Sequence, residues 1–209
     1  MTTAHIGYFD TYKNVFASLN WDLIGFSAIL FMIGVLLAPT IIERNLGWLM
    51  AYPEWAFQKI ERFVNKKPSL WKLFLVIFLL NTLSVFIVYL SGFTIVLPFL
   101  LIIWAGINSG ILLYKNTGGG PALVLFFLNP VALFELPANW IGFSLPLEMS
   151  LFYFRTFTYK AVLQTFQQDF FIFEWLVIPL LILAALIEAT LIHKFGTGTD
   201  ERNNDRHDT

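Results

Sequence analysis

The chain has 209 residues, of which 57% are hydrophobic and only 13% are charged, with a formal net charge of -1. A soluble domain has roughly twice that charged fraction, so the composition excludes an ordinary soluble protein and indicates an integral membrane protein. The near-zero net charge provides no field that would attract nucleic acid, and the absence of cysteine excludes disulfides, thiolate chemistry and zinc–sulfur sites.

Residues 1–20 form an N-terminal segment in which polar and apolar side chains are mixed, and the first predicted span follows it. A transmembrane helix needs about 20 apolar residues to cross roughly 30 Å of hydrocarbon. Residues 21–42 meet this requirement, and their one charge, Asp22, lies at the edge. The N-terminus lacks a basic region followed by a short apolar stretch and a cleavage site, so we expect no cleaved signal peptide.

Residues 43–72 interrupt the apolar sequence with six of the chain's 13 basic residues. Trp48 and Trp55 are interleaved with these charges, which is typical of an amphipathic helix lying in the membrane interface. A soluble loop is the alternative interpretation. Because basic residues favour the cytoplasmic side of a membrane, we expect this connection to be cytoplasmic and the N-terminus to lie outside.

Residues 73–114 contain no charge and are long enough for two further spans, separated by a tight turn near Ser91. Asn81 and Asn108 fall inside these spans, where amides usually form hydrogen bonds between helices; the alternative is that they line a polar path. Gly106 and Gly110 have the small-xxx-small spacing that lets two helices approach closely, so we interpret them as helix-packing residues.

The segment of residues 122–154 is too long for one straight span and does not readily form two. Asn129 and Pro130 form a helix-start signal, with Asn as the cap and Pro in the first turn. Pro130 and Pro137 each leave a carbonyl one turn earlier without its helical partner, so we predict a break at Asn129–Pro130 or at Pro137. The sequence leaves open whether this segment crosses the membrane once, crosses it twice or re-enters it. The side of the membrane on which the C-terminal tail lies depends on that choice and is open as well.

Two carboxylates lie inside the apolar regions. Glu135 follows the predicted break, and a carboxylate in hydrocarbon is costly unless it is protonated, paired or hydrated. It either pins a neighbouring helix by hydrogen bonds or belongs to a transporter-like site. Glu188 lies near the end of the last predicted span, residues 175–192, either as a partner of Glu135 or as a carboxylate at the membrane edge. The polar tail, residues 195–209, is predicted to be disordered.

Histidine placement argues against catalysis. The chain has three histidines, His5, His193 and His207, and all lie at the ends or edges of the sequence or its spans. No pair has metal-ligand spacing, and no serine has a histidine available within another span. We therefore predict no catalytic residue, no metal site and no cofactor, and no enzymatic activity.

Two segments resemble the motifs of a known family. Residues 134–138, Phe-Glu-Leu-Pro-Ala, are preceded by Pro130 and resemble the P-H-G-x-x-E-L-P-A signature of the stage II sporulation protein M family. Residues 184–189, Ala-Ala-Leu-Ile-Glu-Ala, resemble the closing A-x-x-E-A helix of that family. The order and spacing of these motifs fit over roughly residues 70–192.

Two spans that precede both motifs extend the resemblance. The span that contains Asn81 resembles a helix of the family that also carries an Asn. Gly106 and Gly110 resemble the family's N-G-x-x-x-G span. Three family residues, the His, the Gly and an Asn, are replaced here by Val131, Ala132 and Ala105. Any role of that histidine therefore does not carry over to this chain.

The resemblance implies a multispanning membrane protein without intrinsic catalysis; in spore formers the family member anchors a complex with peptidoglycan-degrading partners. With the spans above, we expect an all-α integral membrane protein of the cell membrane. Its bundle has about five transmembrane helices, one of them broken by proline, and an additional amphipathic helix lies in the membrane interface; residues 73–194 form the family-like part.

The leading hypothesis is a scaffold or assembly subunit. Its partners are the lipid bilayer and other membrane proteins or a second copy of the chain, and not nucleic acid. The alternative is a transporter or channel-like component for a small solute, ion or lipid, which uses the broken helix with its buried carboxylates.

Overall fold

The computed structural model describes residues 8–117 and 128–195, and the regular structure within them is entirely helical. This confirms the all-α membrane class. The tail beyond residue 195 and the first part of the predicted broken segment, residues 118–127, lie outside the described residues. The described α-helices are α1 Tyr8–Ala17, α2 Trp21–Glu43, α3 Gly47–Val64, α4 Leu70–Leu90, α5 Leu97–Thr117, α6 Ala132–Thr156, α7 Tyr159–Ile172 and α8 Ile178–Phe195.

Four helical segments are long and apolar enough to cross a membrane by length and composition. These are Trp21–Glu43, Leu70–Phe93, Leu97–Lys115 and Tyr159–Phe195. The last one begins earlier than the predicted 175–192, because α7 continues through a π turn, Phe173–Val177, into α8. With 25 residues, α6 has the length of a further span, but its polar residues and prolines make it less apolar than these four segments.

The helix α6 occupies the centre of the bundle, where it packs against α2, α4, α5, α7 and α8. Residues 141–147 on α6 are all buried. Phe143 packs on Phe31 of α2, with ring centroids 6.3 Å apart. Apolar neighbours thus surround the middle of α6 on every side, which is the position expected for the most enclosed element of a bundle.

A turn at residues 128–131 precedes α6, at one of the two positions where the sequence predicts a break. The side-chain oxygen of Asn129 accepts a hydrogen bond from the Val131 N–H at 3.0 Å, so this Asn organises the turn before the helix. From Ala132 onward, α6 continues through Pro137 and Pro146 to Thr156. Each proline removes one backbone donor from α6, and the packing of α6 among its neighbouring helices tolerates the two missing hydrogen bonds.

The basic connection 43–72 contains α3, which is attached to α5 at two points. Glu54 forms an ion pair with Lys115 of α5. Tyr52 contacts Trp104, also of α5, with ring centroids 6.4 Å apart. These two contacts attach α3 to α5, although the Tyr52 side chain itself stays 53% exposed.

Backbone contact between α2 and α5 is the tightest packing in the described bundle. A Cβ added to Gly106 would lie 2.0 Å from the carbonyl oxygen of Phe31, and one added to Gly34 would lie 2.1 Å from that of Ile103. Ordinary contacts of a Cβ begin near 3.4 Å, so both positions require glycine. Gly110 faces the same side of α2. We name this contact the glycine seam; it is the geometry that small-xxx-small spacing permits.

Candidate functional site

A cavity of about 130 Å³ lies where α3, α4, α6 and α8 meet. Three polar side chains line it: Asn81 from α4, Glu135 from α6 and Glu188 from α8. The other walls are apolar side chains such as Phe63 of α3 and Leu73 of α4. We name this space the carboxylate cavity, and it is the first candidate site.

Three separate elements bring these polar groups together. Glu135 lies in the first turn of α6, where its N–H donates to the Val131 carbonyl at 2.9 Å, so the turn at residues 128–131 sets its position. The helices α4 and α8 pack against each other and present Asn81 and Glu188 to the same space. Glu188 and Asn81 therefore share one cavity with Glu135, whereas Asn108, the other amide that the sequence places inside a span, does not line it.

The chemistry of the carboxylate cavity follows from its composition. Two ionised carboxylates repel each other strongly where little water screens them, so a proton or a cation between Glu135 and Glu188 lowers their energy. The amide of Asn81 can both donate and accept hydrogen bonds. Among the described residues no group of three or more His, Cys, Asp and Glu side chains is arranged to hold a metal ion.

The other site residues proposed from the sequence lie outside the carboxylate cavity. Asn108 is not part of the cavity wall, and its side-chain oxygen is buried without a hydrogen-bond partner among the described residues. Asn129 organises the turn before α6, and Pro130 lies exposed beside it. Pro137 lies within α6, half-buried, one turn after the start of the helix.

A second carboxylate cluster, which sequence reasoning missed, lies between α4, α6 and α7. Asp169 of α7 is only 4% exposed, and one of its carboxylate oxygens has no hydrogen-bond partner in the described part of the chain. Glu148 of α6 is near enough to interact with it electrostatically. Tyr89 stacks on Phe166 with ring centroids 5.0 Å apart, and its hydroxyl donates to the Phe166 carbonyl at 2.6 Å.

Helical spacing was the signal that could have revealed Asp169. The buried residues of α7 are Val162, Thr165, Asp169 and Ile172, which recur at the three- and four-residue intervals of one helix face. A carboxylate on the face that is otherwise filled by apolar and small side chains indicates a buried charge. The polar run Gln167–Gln168 beside it obscures this pattern in the sequence.

Comparison with known proteins gives one match. The family model described as Stage II sporulation protein M matches residues 23–191 of the chain, from near the start of α2 to near the end of α8. No curated protein and no solved structure matches the chain.

Proposed function

This chain belongs to the stage II sporulation protein M family, and from that membership we propose that it is a non-catalytic, multi-pass subunit of the cell membrane on which partner proteins assemble. The partners are other membrane proteins or a second copy of the chain. The family resemblance described above supplies this expectation, because its spore-former member anchors a protein complex.

The observation that supports an assembly role is the glycine seam. At Gly34 and Gly106 the backbones of α2 and α5 are in direct contact, so the two helices have no layer of side chains across which to slide. The ion pair Glu54–Lys115 then ties α3 to the same pair of helices. A rigid unit of this kind suits a subunit that must present a constant surface to its partners.

The carboxylate cavity favours a second candidate function, the movement of a small cation or proton. Acidic side chains inside a membrane bundle are expensive and commonly mark ion pathways. Glu135 and Glu188 share a cavity with Asn81, and Glu135 follows an irregular turn, as do substrate-binding residues in transporters. In this reading the cavity binds the transported species, whereas in an assembly subunit it holds helices together.

Copurification and reconstitution separate the two candidates. The tagged chain is extracted from native membranes in mild detergent and examined for proteins present in stoichiometric amounts, and it is also reconstituted alone in liposomes with a pH-sensitive dye inside. An assembly subunit brings partners and leaves the liposomes as tight as empty ones. A chain that dissipates a proton or cation gradient alone, and brings no partner, contradicts the proposal.

Two variants of Glu135 define the role of the cavity in the same experiments. Glu135→Gln retains the shape and the hydrogen bonding of the side chain but removes its charge, so an assembly subunit should keep its expression and its partners. Glu135→Leu leaves Asn81 and Glu188 without that partner and should impair both. Loss of a transport activity in Glu135→Gln, with folding retained, would instead support the second candidate. If Glu135→Leu behaves as wild type, neither role of Glu135 holds.

A further inference from the structure

One exposed strip of α3 combines aromatic and basic side chains in a regular order. Trp48, Tyr52, Trp55, Lys59 and Arg62 alternate at intervals of four and three residues, which places them on one side of the helix within about 80°. We name these five residues the α3 stripe. Its aromatic members are 75%, 53% and 56% exposed in chain order, and both basic members are exposed as well.

Ring and cation–π contacts join the three middle members of the α3 stripe. The rings of Tyr52 and Trp55 have centroids 6.2 Å apart. The ammonium group of Lys59 lies over the Trp55 ring, 5.8 Å from its centroid. Two more exposed basic residues, Lys66 and Lys67, follow directly after the end of α3. The middle of the stripe therefore joins aromatic rings to a basic side chain, and further basic residues follow along the chain.

The acidic residues of α3 are kept away from the stripe. Glu54 and Glu61 lie on the other side of the helix, more than about 100° from the centre of the stripe. Glu54 is also occupied by its ion pair with Lys115 of α5. The exposed side of α3 thus carries positive charge that no acidic residue of the helix neutralises.

We propose that the α3 stripe binds the headgroups of anionic lipids at the membrane surface, with Lys59 and Arg62 on the lipid phosphates and the aromatic rings at the headgroup level. The position of α3 supports this occupant, because it connects two membrane-crossing segments, Trp21–Glu43 and Leu70–Phe93, and so lies beside a bilayer. Tryptophan and tyrosine favour the interfacial region, and clustered basic residues favour anionic lipids. The inference is independent of the assembly role.

Lipid-dependent melting of the full-length chain tests the proposal. The protein is purified in a neutral detergent and titrated with phosphatidylglycerol or with phosphatidylcholine, and its melting temperature is recorded. Wild type should bind phosphatidylglycerol more tightly than phosphatidylcholine, and added salt should weaken that preference. Each basic residue near an anionic surface contributes about a five-fold change in affinity, so Lys59→Gln/Arg62→Gln should weaken phosphatidylglycerol binding about 25-fold.

A matched variant controls for loss of charge in general. Arg155→Gln/Lys160→Gln removes two exposed basic residues from around the junction of α6 and α7, where no further basic residues follow as Lys66 and Lys67 follow α3, and should weaken phosphatidylglycerol binding much less than the α3 variant does. If the α3 double variant fails to fold, Lys66→Gln should still weaken binding about five-fold. Inorganic phosphate alone should not raise the melting temperature, because it lacks the interface that the aromatic rings occupy.

Three results would overturn the proposal. Wild type could bind the two lipids equally well. The α3 and control variants could weaken phosphatidylglycerol binding to the same extent. The α3 double variant could keep its phosphatidylglycerol affinity but lose a copurifying protein or its self-association, in which case the stripe is a protein-docking surface.

Discussion

The glycine seam makes a sharp prediction about Gly106. A Cβ at this position would lie 2.0 Å from the Phe31 carbonyl oxygen, about 1.4 Å inside the closest ordinary contact, and the obstacle is backbone, which no rotamer change can move. Gly106→Ala must therefore push α2 and α5 apart. Overpacking of this kind costs about 1–3 kcal/mol, while the better helix propensity of alanine returns only about 0.5–1 kcal/mol.

Gly25 provides the control, because it lies in α2, the partner of α5 in the glycine seam, and a Cβ there would meet nothing within 4 Å. Gly25→Ala should leave the melting temperature unchanged or raise it through helix propensity alone. For Gly106→Ala, a net loss of about 1 kcal/mol corresponds to a drop of roughly 2–4 °C for a chain of this size. Melting is followed by the fraction of detergent-purified protein that stays monodisperse after heating. Equal melting of Gly106→Ala and wild type would refute the close-contact argument, and so would an equal loss in both variants.

Two further predictions concern buried charge and topology. Asp169→Asn should raise the melting temperature at alkaline pH, where ionisation of the carboxyl would bury a charge beside Glu148, and should change it little at acidic pH; a lower melting temperature at alkaline pH would contradict this account. Lys66→Cys should react with a membrane-impermeant maleimide only after cells are opened, since the 43–72 connection is predicted to be cytoplasmic and the chain has no native cysteine. Labelling of residue 66 in intact cells would reverse the predicted topology.

The carboxylate cavity could be anticipated in part. Glu135 and Glu188 stand out as charges in apolar surroundings, and the family motifs at residues 134–138 and 184–189 draw attention to the same two residues. Asn81 and Asn108 look alike in the sequence, since each is an amide inside an apolar span. The structure separates them, because only Asn81 lies on the side of its helix that meets α6 and α8.

The sequence by itself determined the membrane class, the first span and the family, because hydropathy and short motifs are properties of neighbouring residues. The tertiary structure alone decided which side chains are enclosed. Asp169 lies in a polar run and is buried only because α7 continues into α8 and packs on α6. Burial depends on which distant helix covers a residue, and that contact is settled by the packing of the whole bundle, not by the local sequence.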